Sequence, residues 1–599
     1  MTEPTSAPPA AGHNRKLIGR SFIHSCYVPN TATGGDAVTV SEHLHYNDDT
    51  VEPHLRVIND PPRVFHTTKK PYRQLHTEKK ERERVEHCDR HVAPNKTFLL
   101  KAHEALFGYK PRFLNYKAKQ DVLNSPYLYG AGSDIQSLVK IRYRKDFDKT
   151  GLKLAPVTTG MYDTEISIVE GSTGDLICYT LTHENKVYTA INENWLHRYV
   201  DGIHQKISLD EVKALSQKTL IPMIEEAFSN NKNLKKLRAK LPFEFHYLVS
   251  GDPVEMIKWG FDHAHQNETS FIGGWNIKYD IGETARILRE RGIEPKDIFS
   301  HPSIPEGTRF FDLREDKKKV AHYADKWHWF STTSLFQFLD LMAIYNRLRV
   351  VNGKESSYAL DYILAKNGLG GKLHFRHLGD LEKLEGTADW HRRMSTQHPL
   401  EYVIYNQWDS ISLQLLEWQN TDTTALRILS DNTSLDKYPR QTVKNQDTLH
   451  AEWIDKGWVM GTAGSEMVDQ YDEELEAEGG AVLDSYRVDK TGVRLIREFP
   501  TLVSQIHVFV SDADFSQMYP TVMENANISN ETRVTTMYAI TGDHLKVSAE
   551  EAVETLYSCL ISPKDNAHYF GTTFLNFPTF AEIDDDYCRE TGRLVDVVA

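Results

Sequence analysis

Asp163 and Glu165 stand two residues apart in the apolar run Met161–Ile168. On a strand of period two, both carboxylates face the same way. Two like charges on a largely apolar face repel and are costly to desolvate unless a cation lies between them. Oxygen ligands of this kind suit Mg²⁺ or Mn²⁺; solvated acids on an edge strand are the alternative. Asp280 closes a second stretch, Phe271-Ile272-Gly273-Gly274-Trp275-Asn276-Ile277-Lys278-Tyr279-Asp280, after which Thr284–Arg291 reads as a helix. Strand-to-helix junctions are where α/β proteins place active-site groups; a plain helix N-cap is the other reading of Asp280. In Glu401–Trp418, behind Pro399, the residues Ile404, Trp408, Ile411 and Leu415 keep helical spacing, and Tyr405 and Asp409 share one face. Four acids in this order, Asp163, Glu165, Asp280 and Asp409, can bind two metals about 3.5–4 Å apart, one activating a water and one stabilising the leaving oxygen of a phosphodiester. Tyr405 would orient the water, and Asn276 would hydrogen-bond the substrate strand or an acid. The chemistry is metal-dependent hydrolysis of a nucleic-acid end.

Such groups need a sheet and flanking helices to hold them. Met161–Val169, Leu176–Thr182 and Lys186–Ile191 alternate with period two and predict a three-strand meander, turning at Gly171-Ser172-Thr173-Gly174. From there to about Trp418 helical patterns alternate with short strands, which predicts an α/β layer. Phe22–Val28 and Val38–Tyr46 read as strands ahead of it. The basic stretch Lys69–Arg90 reads as a solvated helix face or a phosphate contact. Leu234–Leu241 puts Lys235, Lys236, Arg238 and Lys240 on a short helix, and Asn420–Asp436 is a polar exit. Asp469–Glu478 is an acidic run closed by Gly479-Gly480, and Ala481–Ala599 starts with strands and turns helical around Ala549–Leu560. The chain has 599 residues, is 40% hydrophobic and 26% charged, and carries a formal charge of −14. No run reaches the roughly 18–20 apolar residues of a membrane span. The five cysteines are far apart, which argues against a disulfide framework or a structural zinc site.

Three of these clusters have a common precedent. Asp163-x-Glu165, Asn276-x-x-Tyr279-Asp280 and Tyr405-x-x-x-Asp409 resemble the three motifs of proofreading exonucleases of the DEDD-plus-tyrosine type. Their order and separation resemble family B DNA polymerases. Farther on, Asp512-Ala513-Asp514-Phe515-Ser516-Gln517-Met518-Tyr519-Pro520-Thr521 resembles motif A of those polymerases, and Asn527-Ile528-Ser529 is similar to the T-even bacteriophage branch. Ser356-Ser357-Tyr358-Ala359-Leu360-Asp361-Tyr362, ahead of Gly371-Lys372-Leu373, points the same way. The resemblance implies an α/β protein. It has a disordered lead over 1–20, an N-terminal α+β domain over 21–154 and an RNase H-like exonuclease domain over 155–424. A segment over 425–485 returns to the N-terminal domain, and a partial palm up to the base of the fingers follows over 486–599. It implies Asp514 as a catalytic, metal-holding acid, Phe515, Gln517 and Met518 near a bound triphosphate, and Tyr519 under the sugar. Gln517, Met518 and Thr521 depart from the family's Ser, Leu and Ser. The tyrosine expected before Gly479-Gly480 is missing.

Eighty-five residues follow Asp514, without the Lys-x-x-x-Asn-Ser-x-Tyr-Gly fingers motif or the Asp-Thr-Asp motif of the palm. The expectation is therefore the N-terminal subunit of a split replicative polymerase, complete as an exonuclease and unable to polymerise alone. The partners expected are primer–template DNA, single-stranded 3′ ends, dNTPs, a second chain with fingers, palm and thumb, and, through that chain, a sliding clamp. Two Mg²⁺ or Mn²⁺ per site and the cytoplasm of an infected bacterium complete the expectation. A stand-alone 3′→5′ exonuclease with a relict palm and a non-catalytic DNA-binding scaffold are the competing readings. Trans-splicing near Cys588 is a remoter variant.

Overall fold

The computed structural model describes residues 15–73, 82–200, 203–320, 322–379, 381, 387–462 and 464, with the strands 533–538 and 594–598. The chain divides into two compact units, 1–479 and 480–599. Asp514, Phe515, Gln517, Met518 and Tyr519 lie outside the described residues, as do Asp469–Glu478, Gly479-Gly480 and Cys588.

The first unit opens with the antiparallel sheet β1 (Leu17–Val28), β2 (Ala37–Tyr46) and β3 (Val51–Asn59). Next come β4 (Pro62–Thr68), the short helix α1 (Lys70–Arg73), β5 (Arg82–Arg84) and β6 (Cys88–Pro94). The basic stretch Lys69–Arg90 is therefore not one helix, because pairing of β6 with β4 claims its backbone. Helices α2 (Phe98–Phe107) and α3 (Tyr116–Asn124), strand β7 (Leu128–Tyr129) and helix α4 (Ile135–Asp148) follow. Alternation in β4 sends Phe65 into a core with Ala102, Leu106 and Val122 of α2 and α3. Val64 and His66 instead line a cavity of about 480 Å³ that α4 helps to wall.

The second layer is a six-stranded mixed sheet. Its strands are β8 (Thr159–Ile166), β9 (Leu176–His183), β10 (Lys186–Asn192), β13 (Glu244–Ser250), β14 (Phe271–Gly274) and β17 (Gln337–Asp340), in the order β13-β10-β9-β8-β14-β17. The pairs β8–β9 and β9–β10 are antiparallel, whereas β8–β14, β14–β17 and β10–β13 are parallel. A small ribbon, β11 (His197–Val200) with β12 (Ile203–Lys206), leads to α5 (Leu209–Asn230), whose Ser208 and Glu211 form a capping box. The basic segment 234–241 splits between α6 (Lys232–Lys235) and a 3₁₀ turn at Arg238–Lys240. Helices α7 (Pro253–Gln266), α8 (Ile277–Glu290) and α9 (Pro295–Phe299) precede the β15 (Phe311–Arg314) and β16 (Trp329–Thr332) pair. After β17 come α10 (Leu341–Arg349), α11 (Leu360–Lys366), α12 (Thr387–Gln397) and α13 (Pro399–Asn420), with Pro399 in its first turn.

Helices cover both faces of this sheet. Met161, Ile177 and Val187 join Leu220 and Phe228 of α5 and Trp408 and Ile411 of α13 in one core. Tyr162, Tyr179 and Leu181 join Ile257 and Phe261 of α7 and Ile281 and Leu288 of α8 in another. Strand β8 is interior, between β9 and β14, which removes the edge-strand reading of Asp163 and Glu165.

The chain then returns to its start. Helix α14 (Asp422–Leu429) sends Arg427 to the carbonyls of Ala155 and Phe22. After it, α15 (Gln441–Asp455) meets α4 through Lys145, and β18 (Trp458–Met460) pairs with β5. In the second unit, β19 (Arg533–Tyr538) and β20 (Leu594–Val598) pair in parallel. Among the described residues, no helix is long and apolar enough to cross a membrane.

Candidate metal centre

Strand β8 presents Tyr162 and Thr164 to α8 and turns Met161, Asp163 and Glu165 toward α13. Across from them, α13 places Tyr402, Tyr405, Asn406 and Asp409 at helical spacing on one stripe. A ligand oxygen from each of Asp163, Glu165 and Asp409 lies within 4.8 Å of the others, a set that could hold a metal ion. Glu165 and Asp409 are buried, and Asp163 is partly open to solvent.

Each acid is held by a neighbour. The Asn406 amide donates to the Asp163 carboxylate at 2.7 Å and to its carbonyl at 3.1 Å. The Tyr402 hydroxyl donates to Glu165, and His391 Nδ1 of α12 lies 2.8 Å from that hydroxyl and 3.6 Å from Glu165. Lys372 Nζ donates to Asp409 Oδ2 and to the Tyr405 hydroxyl, both at 2.6 Å. The turn carrying Lys372 is itself pinned. Asp361 accepts from the Lys372 amide at 2.6 Å, and Trp408 Nε1 donates to the Gly371 carbonyl at 2.8 Å. A methyl group on Gly371 would come to about 2.5 Å from Asp361 Oδ1, so a larger residue there would have to push Asp361 off the Lys372 amide.

Asp280 takes a different place. Asn276, in the left-handed conformation at φ 81°, is the N-cap position of α8, and Asp280 sits inside the first turn. It is therefore not a cap. Its Oδ1 accepts from the Thr164 hydroxyl at 2.8 Å and the Thr164 amide at 3.1 Å, and it is not one of the clustered triad. The expected four-carboxylate set is brought together as three, with Asp280 held on the backbone of the strand that carries two of them.

Electrostatics tie the acids into one system. Desolvation, then the charges of Asp280, Asp409 and Glu165, push the Asp163 carboxyl well above its ordinary range against the pull of Lys372. Burial pushes Asp280 up to about 7, opposed by the Thr164 hydrogen bonds. Burial also raises Asp409, and Lys372 works against it. The Lys372 ammonium is disfavoured by burial, yet Asp409, Tyr405 and Asp163 outweigh that and hold its pKa well above the usual lysine range. Burial and Asp409 keep the Tyr405 phenol protonated well past its ordinary value.

Among the residues of the site, three buried oxygens have no hydrogen-bond partner: Asp409 Oδ1, Asn406 Oδ1 and Asn276 Oδ1. An unpartnered buried carboxylate oxygen is costly, and Asp409 Oδ1 belongs to the triad, so the donor set fits a cation better than it fits isolation. Sequence reasoning named Asp163, Glu165, Asp280, Asn276, Tyr405 and Asp409 as site residues and missed Lys372, Tyr402, Asn406, His391 and Thr164. Tyr402, Asn406 and Asp409 keep the 4, 3 spacing of a helix face, a signal that was present. Lys372 lies on a turn whose position is set by tertiary contacts alone. The chain matches no protein-family model and no curated protein, so the site stands on its own geometry: a carboxylate triad on β8 and α13, able to hold a metal ion.

Proposed function

We infer that this chain is a metal-dependent 3′→5′ exonuclease acting on single-stranded DNA ends, with an RNase H-like domain as its catalytic part. The carrying observation is the Asp163–Glu165–Asp409 cluster with the Tyr405 hydroxyl tied to it through Lys372. The strand order β10-β9-β8-β14-β17, with the paired acids on its central strand, supports the RNase H-like reading. All three ligands are carboxylates, a donor set that favours Mg²⁺ or Mn²⁺ over softer ions. Bound there, such an ion supplies a more acidic water and neutralises developing phosphate charge.

The chain's own groups do the positioning. Tyr402 and Asn406 fix the carboxylates of Glu165 and Asp163 against β8. Tyr405 stays a neutral phenol through physiological pH, so it can direct a water by hydrogen bonding. The free Oδ1 of Asn276 accepts from a ligand or substrate hydroxyl. Membership of a DNA polymerase, with a second chain completing the palm, rests on the sequence motif around Asp514.

The test is a labelled primer–template incubated with the protein and Mg²⁺, with and without dNTPs. Shortening from the 3′ end with release of nucleoside monophosphates is expected. Asp163→Ala with Glu165→Ala should lower the rate by at least about a thousandfold, since both metal-holding acids of β8 are lost. A double variant that still degrades the primer removes the assignment, and extension by the chain alone removes the split-subunit reading.

A further inference from the structure

The turn between α2 and α3 is unusual for a soluble surface. Phe107, Tyr109 and Phe113 are 50%, 62% and 78% exposed. Lys110, Arg112 and Lys117 lie between or beside them, all exposed, and no acid occurs between Glu104 and Asp121. Exposed aromatics gathered in one place mark an interaction site more often than a plain surface. The turn is built rather than loose. Gly108 closes α2 in the left-handed conformation at φ 83°, and the Asn115 side chain caps α3 by accepting from the Ala118 amide at 2.8 Å. The His103 ring packs on Phe107 and Tyr109 with centroids 4.7 and 4.8 Å apart, and its Nδ1 bonds the Tyr109 carbonyl at 3.1 Å.

Exposed aromatic faces separated by cations, in a stretch whose own sequence from 105 to 120 holds no acid, suit a ligand that alternates flat apolar rings with phosphates. We propose that this turn is a stacking site for single-stranded DNA, separate from the metal centre, with bases on Tyr109 and Phe113 and phosphates at Lys110 and Arg112. The choice of DNA as the ligand rests on the exonuclease reading above. An apolar protein partner would have no use for the interleaved cations, and an acidic one would leave the rings without partners.

The experiment uses the full chain in EDTA, so that no strand is cut, and follows the anisotropy of a labelled oligothymidylate. Tyr109→Ala with Phe113→Ala should weaken binding by about tenfold or more, the loss expected when two stacked bases lose their platforms. Lys110→Gln with Arg112→Gln should lower the slope of log affinity against log salt by about 1.4, about 0.7 for each phosphate contact removed from a single strand. All four positions are on the surface, so thermal unfolding should match the wild type and exclude misfolding. Affinity and salt slope unchanged in both variants overturn the proposal, as does a wild type that does not bind the oligonucleotide. Equal loss toward polyglutamate, which has no bases, also overturns the stacking role. A wild type that shortens 3′ ends while the variants bind normally removes the surface and leaves the exonuclease reading. Binding through the turn without any 3′ shortening does the reverse.

Discussion

Lys372 brings one positive charge to a place where Asp163, Glu165, Asp409 and Asp280 bring four negative ones. Burial first, and the uncompensated negative charge after it, raise both Asp163 and Asp280. Metal binding must then displace protons, so apparent affinity should climb with pH toward neutrality. Asp280 carries a stability consequence of its own. Its folded pKa of about 7 stands above the ordinary 3.8, so its contribution is fully present below about pH 4 and is lost as pH rises through about 7. Asparagine keeps an acceptor for Thr164 and never ionises. In thermal unfolding of the metal-free protein, Asp280→Asn should gain on the wild type between about pH 5 and about pH 8, on either side of that pKa. A difference between the two proteins that is the same at both pH values would show that Asp280 is not the group that charges. Asp163 with Glu165, and Tyr405 with Asp409, were legible as pairs because period two and four-residue spacing survive folding unchanged. Lys372 and the turning of Asp280 to a backbone amide were not, because each depends on a contact between distant segments.

Helix α13 meets the sheet through a polar seam as well as an apolar one. Gln407 donates to the Thr189 hydroxyl at 3.0 Å and Ser410 to the Thr180 carbonyl at 3.0 Å, and the Gln414 amide meets the hydroxyls of Thr159 and Thr182 at 2.8 and 3.0 Å. A purely apolar interface tolerates sliding by a fraction of a turn. A row of directional bonds does not, and it fixes the height at which Asp409 faces Asp163 and Glu165. The helix itself was readable from Ile404, Trp408, Ile411 and Leu415; the seam was not, because its polar residues look like surface residues in sequence. Two glycines show how placement decides the sign of one substitution. At Gly160 of β8 an added methyl would overlap the Thr182 carbonyl oxygen of the neighbouring strand, whereas at Gly282 of α8 it would meet nothing within 4 Å. Gly160→Ala should cost about 1–3 kcal/mol. Gly282→Ala should stabilise by about 0.5–1 kcal/mol, because alanine suits a helix interior better than glycine does. Urea unfolding of both variants checks this pair, and equal shifts in one direction would contradict the packing described.

At the scale of the first unit, burial holds six histidines neutral. His24, His43, His66, His183, His265 and His450 are each lowered to about 4. Depressed folded pKa values mean that the unfolded chain takes up protons first. Stability is therefore full above about pH 6.5 and is lost as pH falls toward about 4, by about 1.4 kcal/mol per pH unit for each proton taken up. Calorimetry across that window should show Tm falling steeply; a flat profile would mean that these rings are not neutral in the fold. The general architecture, a mixed α/β sheet behind an N-terminal sheet, was visible from alternation and turn residues. The return of the segment after α13 to the N-terminal layer was implied by the family resemblance alone, as 425–485, since nothing local in 441–460 names its partner. That closure has a consequence in time. The Ala131 amide bonds the Thr462 hydroxyl 331 residues later, β5 waits for β18, and Lys145 waits for Asp455. At about 5–20 residues per second, the ribosome takes about 15–65 s to make the intervening chain. For that interval the nascent N-terminal layer has an unpaired strand and an unfinished wall, an edge open to pairing with another chain.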